Sequence, residues 1–184
     1  MKKELKDIID GDLYRYGRRF GLFKPLYLRW QIAYRKASFY PKRSLPGIIY
    51  RIKLNFLSEK SGIQIPTAAK LGSGLFIGHT GRIIINPNAV MGDNINIGTG
   101  VTIGKTNRGD RAGVPVIGSN VWIGNNAVIV GGIHIGDDVM IAPNAFVNVD
   151  VPSHSVVLGN PGVIHHKDNA TEGYINNPIG GSLT

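Results

Sequence analysis

The chain has 184 residues, no cysteine, 25 glycines and a formal net charge of +9, with only 18% charged residues. That length suits one well-buried core with an appendage. The low charged fraction excludes disordered and coiled-coil classes, and the missing thiols exclude a disulfide framework, a thiolate metal site and a cysteine nucleophile.

The charge is unevenly placed. Residues 1–60 carry 15 Lys and Arg against five acids, a balance of +10, and residues 61–184 carry six against seven, a balance of −1. The start, MKKELKDIIDGD, lacks the apolar stretch of a leader, and later apolar runs are interrupted by Lys or Arg well short of the roughly 18 residues a membrane span requires. A cytoplasmic protein is expected. Residues 1–61 form a basic segment that holds 11 of the 15 aromatics, interleaved with cations as in Tyr14-Arg15-Tyr16, Arg29-Trp30 and Tyr34-Arg35-Lys36. Proline punctuation and apolar spacing predict three helices there, near 2–10, 25–38 and 46–59. In the last, Ser44 is placed to cap the start and Ile48, Ile49, Ile52 and Phe56 recur at helical spacing. Such a segment suits either a solvated helical cap or a peripheral contact with the anionic inner face of the cell membrane. No nucleic-acid motif is visible in it, so no nucleic acid is expected as a partner.

From Gly62 the pattern changes. An aliphatic residue recurs every six positions in three runs: Ile65, Leu71, Ile77; then Ile85, Met91, Ile97, Ile103; then Ile117, Ile123, Ile129, Ile135, Ile141, Val147. Gly often follows, as at Gly72, Gly92, Gly118 and Gly136. A helical stripe recurs at three and four, and an ordinary strand alternates by two, so neither explains a period of six. Short strands joined by regular corners do: each hexad forms one side of a triangular coil, its first residue points inward, and Gly and Asn serve corners that need left-handed φ. Three hexads close a coil, and each coil hides its aliphatics only by stacking on the next. The predicted fold class is therefore an all-β main domain, a parallel β-helix over residues 62–160, preceded by the helical segment and followed by a tail over 161–184.

Two departures from the register mark candidate chemistry. Ile77 to Ile85 spans eight residues, with the slip inside His79-Thr80-Gly81-Arg82, and Ile103 to Ile117 spans 14, so residues 105–115 leave the prism as a loop. Loops on a rigid scaffold commonly carry function.

The stretch from GIQIPTAAKLGSGLFIGHTG through VTIGKTNRG to VVLGNPG resembles the hexapeptide-repeat acyltransferases. Within them it looks most like the serine O-acetyltransferase branch and its relatives that O-acetylate capsular or exopolysaccharides, such as the colanic acid acetyltransferases. The resemblance implies a left-handed β-helix, a homotrimer with active sites shared between subunits, and acetyl-CoA as acyl donor. His79 stands where the family has its catalytic histidine, and imidazole can take a hydroxyl proton near neutrality as the oxygen attacks a thioester. With no Cys and no GxSxG elbow, direct transfer is expected rather than an acyl-enzyme. Gln64 occupies the position of the carboxylate that orients that histidine in the serine-acetylating branch. Its amide can bond a ring nitrogen but cannot stabilise an imidazolium by charge. A second histidine of that branch is missing from the loop, which here reads Gly109-Asp110-Arg111-Ala112-Gly113-Val114-Pro115.

These two differences make an O-acetyltransferase of a bacterial surface polysaccharide, or of its sugar precursor, the leading expectation. Serine O-acetylation for cysteine synthesis and a non-catalytic β-helix subunit are the alternatives. By the same resemblance, acetyl-CoA is lined by Gly104, Lys105, Gly124, Asn125, Ala142, Pro143, Asn160, Pro161 and Gly162, with Lys167 toward a CoA phosphate. Arg82, Arg108 and Arg111 are candidates for an acidic group of the acceptor and Asn107 for orienting it. His134 and His79 fall at different hexad positions, so no three-histidine zinc site forms, and no metal is expected. His154, His165 and His166 are read as surface residues.

Overall fold

The computed structural model describes residues 2–17, 20–21 and 23–180. The basic segment forms three helices, α1 (Lys3–Tyr14), α2 (Leu26–Phe39) and α3 (Leu45–Ser61). α2 stops where Tyr40 turns extended at ψ 138° before Pro41, as the residue preceding a proline must. α3 begins as its sequence predicts: Ser44 Oγ accepts from the Gly47 N–H at 3.2 Å, and Pro46 occupies the first turn, where a missing N–H costs nothing. Gly62, at φ +76°, closes it with its N–H on Ser58 O at 2.9 Å, a left-handed cap that favours glycine. The inner side of α3 is Leu54 and Leu57. The residues whose spacing signals the helix, Ile48, Ile49, Ile52 and Phe56, lie on its outer side and are exposed.

The hexads fold into a three-sided parallel β-helix. One side stacks β1 (Ile63–Gln64), β3 (Ile83–Ile85), β6 (Thr102–Gly104), β9 (Val128–Val130) and β12 (Phe146–Val147). The second stacks β2 (Lys70–Leu71), β4 (Val90–Met91), β7 (Val116–Ile117) and β10 (His134–Ile135). The third stacks β5 (Asn96–Ile97), β8 (Val121–Ile123), β11 (Val139–Ile141) and β13 (Ser155–Leu158), and is closed by antiparallel β14 (Val163–His166). Call these sides A, B and C. Thr102 faces Val128 and Phe146 also faces Val128 on side A, so one coil takes 18 residues and the coil with the excursion loop takes 26. Gln64 pairs with Ile84, a coil of 20 that contains the slip at His79.

The interior column is made by the six-spaced residues: Ile77, Ile85, Ile97, Ile117, Ile123, Ile129, Ile135, Ile141 and Val147 are all buried. Trp30 and Tyr34 of α2 and Leu54 and Leu57 of α3 join the same apolar cluster, so the helices cap the first coil. Two of the three corners turn through left-handed residues stacked in register. One column is Gly74, Asn94, Asn120, Asp138 and His154, and the other is Gly100, Asn126 and Asn144. These residue types meet the αL corner at low steric cost. Beside the first column, side chains stitch coil to coil: Ser73 N–H bonds Asp93 Oδ1, Asp93 N–H bonds Ser119 Oγ, Ser119 N–H bonds Asp137 Oδ1 and Asp137 N–H bonds Ser153 Oγ.

Buried polar groups dock the outer segments on the prism. Arg35 forms a 2.8 Å ion pair with Asp12 and donates to the carbonyls of Leu71 and Gly72, while Asp12 also accepts from Leu75 N–H. Arg15 donates to Gly74 O, Asn96 Oδ1 and Asn176 O. Burial lowers its pKa to about 10, partly offset by the nearby Tyr16 and Asp12. The tail is held at Asp138, whose carboxylate accepts from Thr171 Oγ1 (2.7 Å), from the N–H groups of Ala170 and Thr171 (3.0 Å each) and bonds His154 Nδ1 (2.9 Å). No described helix is long and apolar enough to cross a membrane.

Candidate active site

His79 stands at the C-to-A corner of the first coil, two residues after the interior Ile77. The equivalent positions below it, two residues after Ile97, Ile123, Ile141 and Val157, are Thr99, Asn125, Pro143 and Gly159. Hydrogen bonds confirm that these corners stack: Gly98 N–H on Ile123 O, Gly124 N–H on Ile141 O, and Ala142 N–H on Val157 O. Asn125 Oδ1 also accepts from Thr99 N–H at 3.1 Å. One straight edge thus leads down from the imidazole, each step about 4.8 Å, the spacing of neighbouring strands. The two-residue slip lets His79-Thr80-Gly81 swing out at the head of this edge, with Gly81 at φ +147° and its N–H on Ser61 O. His79 is exposed, and among the described residues its ring has no hydrogen-bond partner.

The imidazole borders a cleft of about 430 Å³ on side C, walled by Tyr16, Tyr27, Phe76, Asn96 and Trp122 and floored toward the edge by Thr99 and Asn125. Tyr16 packs 4.6 Å from Phe76, and its hydroxyl lies between Gln31 Oε1 (2.8 Å) and the backbone of Ile77. Burial is the main force that pushes its phenol pKa up, so it stays neutral. Tyr174 of the tail leans on Trp122 at 5.0 Å. The aromatic wall comes from three distant parts of the chain.

The structure divides the remaining candidates into groups. Gly124, Asn125, Ala142 and Pro143 share the His79 edge, and Asn160-Pro161-Gly162 continues it as the turn after β13, with Gly162 N–H on Phe146 O at 2.8 Å. Gly104, Lys105, Asn107, Arg108 and Arg111 belong to the A-to-B corner, on the other margin of side A. Their loop is pinched where Thr106 and Gly113 exchange backbone bonds of 3.0 and 2.9 Å. Arg111 is tethered to Asn148 O at 2.7 Å, while Asn107, Arg108 and Lys105 are exposed. Arg82 is exposed just before β3. Gln64 faces outward from β1 and lines a different depression, beside α3, with Arg51, Asn55, Ser58 and Thr67. Lys167 lies just beyond β14, its N–H on His154 O. His154 is half exposed but engaged with Asp138. No group of three metal-ligating side chains occurs among the described residues.

Sequence reasoning missed Tyr16, Tyr27, Phe76, Asn96 and Trp122. A signal existed for two of them: only four aromatics follow residue 60, and Phe76 and Trp122 sit at the outward hexad position of side C.

The bacterial transferase hexapeptide (six repeats) family matches residues 115–149. Serine acetyltransferase 2 of Arabidopsis thaliana is 43% identical over 107 residues, covering 57% of this chain and 32% of that protein. Serine acetyltransferase of Staphylococcus aureus is 40% identical over 113 residues, covering 61% of this chain and 53% of that protein. The matched stretch therefore spans about a third to a half of these curated relatives. Serine acetyltransferase from Brucella abortus strain S19 superposes with a TM-score of 0.73 and 32% identity over 91% of this chain and 71% of that one. Its complex with coenzyme A gives 0.73 and 30% over 90% and 69%. With these structures the parallel coils are those of a left-handed β-helix.

These similarities correct one expectation. Gln64 in place of a carboxylate and Ala112 in place of a loop histidine point to a polysaccharide or saccharide acceptor. Both are exposed single positions, and they are outweighed by likeness to serine acetyltransferases over nine-tenths of the chain. The chain belongs to the serine acetyltransferase family of hexapeptide-repeat transferases.

Proposed function

We propose that this protein transfers the acetyl group of acetyl-CoA to the hydroxyl of serine. The observation that carries the reading is the single edge on which His79 heads Thr99, Asn125 and Pro143. An extended thiol cofactor laid along it would bring its thioester to the imidazole. The coenzyme A complex of a protein 30% identical supports the donor, and the relatives' names support the acceptor.

In this mechanism His79 accepts the serine hydroxyl proton as the oxygen attacks the thioester carbonyl. Backbone N–H groups stabilise the tetrahedral oxyanion. As the C–S bond breaks, the imidazolium returns the proton to the departing CoA sulfur, and O-acetylserine and CoA leave. Tyr16, Tyr27 and Trp122 exclude water on the cleft side. Gln64 lines a separate depression and makes no bond to the ring in this structure; a neutral positioning role for it in this mechanism requires its amide to swing toward His79. Within a subunit the His79 edge and the 105–115 loop lie on opposite margins of side A. Side A presents Ile84, Val128, Val130 and Phe146 outward, all only partly covered. A homotrimer in which this side packs on a neighbour brings the loop of one subunit, with Lys105, Asn107, Arg108 and Arg111, to the His79 edge of the next.

Release of free CoA from acetyl-CoA, with and without serine, tests the reading. His79→Ala should lower serine-dependent release at least about 100-fold, a typical general-base contribution, with thermal unfolding unchanged. Equal rates in the two proteins would remove His79 from the mechanism, and release indifferent to serine would remove serine as acceptor.

A further inference from the structure

We propose that the outer face of α3 docks this protein onto an anionic membrane surface, with the helix lying in the plane of the lipid headgroups. The inference does not depend on the acetyl-transfer reading. α3 buries Leu54 and Leu57 against α2 and the first coil. On the opposite side Leu45, Ile48, Ile49, Ile52 and Phe56 form a continuous stripe, each 46–73% exposed. At 100° per residue these five fall within about 100° of arc. A soluble surface rarely shows so many large aliphatics in one patch without a partner.

The surroundings select the partner. Lys53 and Lys60 flank the stripe, and Lys60 Nζ lies 4.5 Å from the Phe56 ring. Near the start of the helix, Lys42 and Arg43 are exposed in the turn before Leu45. There Tyr40 stacks on Tyr50, Lys36 sits 4.9 Å over the Tyr50 ring, and Lys2 sits 5.8 Å from the Phe39 ring. Glu59, the single acid of α3, falls within the same arc at the C-terminal end of the stripe, so the attraction to anions comes from the cations at the borders and not from the stripe itself. Apolar anchors bordered by cations and aromatics match the boundary between acyl chains and anionic headgroups. A second copy of the chain is the poorer occupant, because face-to-face packing would bring the exposed Lys42, Arg43, Lys53 and Lys60 of one copy toward those of the other. The helix has 17 residues, too short to span a bilayer.

The test is co-sedimentation of the full-length protein with vesicles of phosphatidylcholine alone and of phosphatidylcholine with about 30% phosphatidylglycerol, at low and high salt. The native protein should partition at least tenfold more strongly onto the anionic vesicles, and salt should weaken the effect. The double variant Ile49→Glu/Ile52→Glu should lose at least tenfold of that binding, and Lys53→Glu/Lys60→Glu should lose it as well. Because these side chains are exposed, both variants should keep native thermal unfolding. Should either fail to fold, amide exchange of the native protein with and without anionic vesicles decides: residues 45–60 should slow. Absence of preference for anionic vesicles would overturn the proposal. So would binding that survives both variants, unchanged exchange in α3, or a native assembly that is larger in solution than the Ile49→Glu/Ile52→Glu protein, since the face would then join copies of the chain.

Discussion

Replacing Asp138 by asparagine should loosen the tail locally around Ala170 and Thr171 without unfolding the prism, while Arg15, Asn94 and Asn96 keep their bonds to Asn176, Ile179 and Tyr174. The carboxylate is nearly buried and accepts from two backbone N–H groups, a hydroxyl and a histidine. Asparagine tolerates the left-handed φ of +52° at this corner, so the substitution adds no backbone strain. Its amide oxygen can keep the Thr171 bonds, but its NH₂ then faces the Ala170 N–H, donor against donor. An unsatisfied buried donor costs about 1–3 kcal/mol and the loss of charge assistance adds to it, for a total of about 2–4 kcal/mol. That corresponds to roughly 30- to 1000-fold more frequent opening of the tail. Amide exchange of a peptide covering residues 168–175 reads it directly, while protection of β8 and β11 should stay native. The same carboxylate sets a pH dependence. Burial raises its pKa, but the bonds from Thr171, His154 and Ala170 together outweigh burial, and the net shift is downward from 3.8. A lowered folded-state value means that the stabilisation is complete above the unfolded pKa and is lost as pH falls through the folded one. The native tail should therefore loosen below about pH 4, and the asparagine variant should lack that transition. Tail exchange within threefold of native at pH 7 would refute the assignment of Asp138 as the clasp.

Gln64→Asp places a charge where the native residue offers only an amide. If Gln64 positions His79, the acidic limb of the pH–rate profile should move to higher pH, because a carboxylate favours the protonated ring. The plateau rate should rise about two- to tenfold. An unmoved limb would show that Gln64 does not reach the imidazole. Gly124→Ala puts a Cβ 2.5 Å from Pro143 N and 2.9 Å from Ala142 C, backbone atoms of the next coil that have nowhere to move. A loss of about 1–3 kcal/mol is expected, seen as a lower thermal midpoint. Gly21→Ala, which meets nothing within 4 Å, should leave that midpoint unchanged.

The repeat was legible because the prism interior admits one kind of residue at one interval: an aliphatic every sixth place, with Gly or Asn at the turns beside it. Ser44 carries its capping chemistry in its own side chain, so the start of α3 could be placed from local sequence, whereas Gly62, whose left-handed turn ends the helix, marks in the sequence only the start of the repeat. His79 became a candidate because the slip around it interrupts an otherwise strict spacing and because its IGHTG turn resembles the one that carries the family's catalytic histidine. What could not be read is contact between segments with no common period. Arg15 and Arg35 contribute to the positive field counted along the chain, yet both are buried on carbonyls at the A-remote margin of the first coil. Tyr16, just after α1, meets Phe76, and Tyr27, at the start of α2, stacks on Tyr16, contacts between segments that share no spacing. The two faces of α3 are both apolar, and spacing alone does not say which one the core takes.

The antiparallel strand β14 has a further consequence for solubility. A stack of parallel coils ends in unpaired N–H and C=O rows that invite another chain to add, the start of a filament. At one end Trp30, Tyr34, Leu54 and Leu57 plug the opening. At the other, β14 pairs with β13 in the reversed direction, so the growing template is broken on that side by a strand that cannot be copied in register.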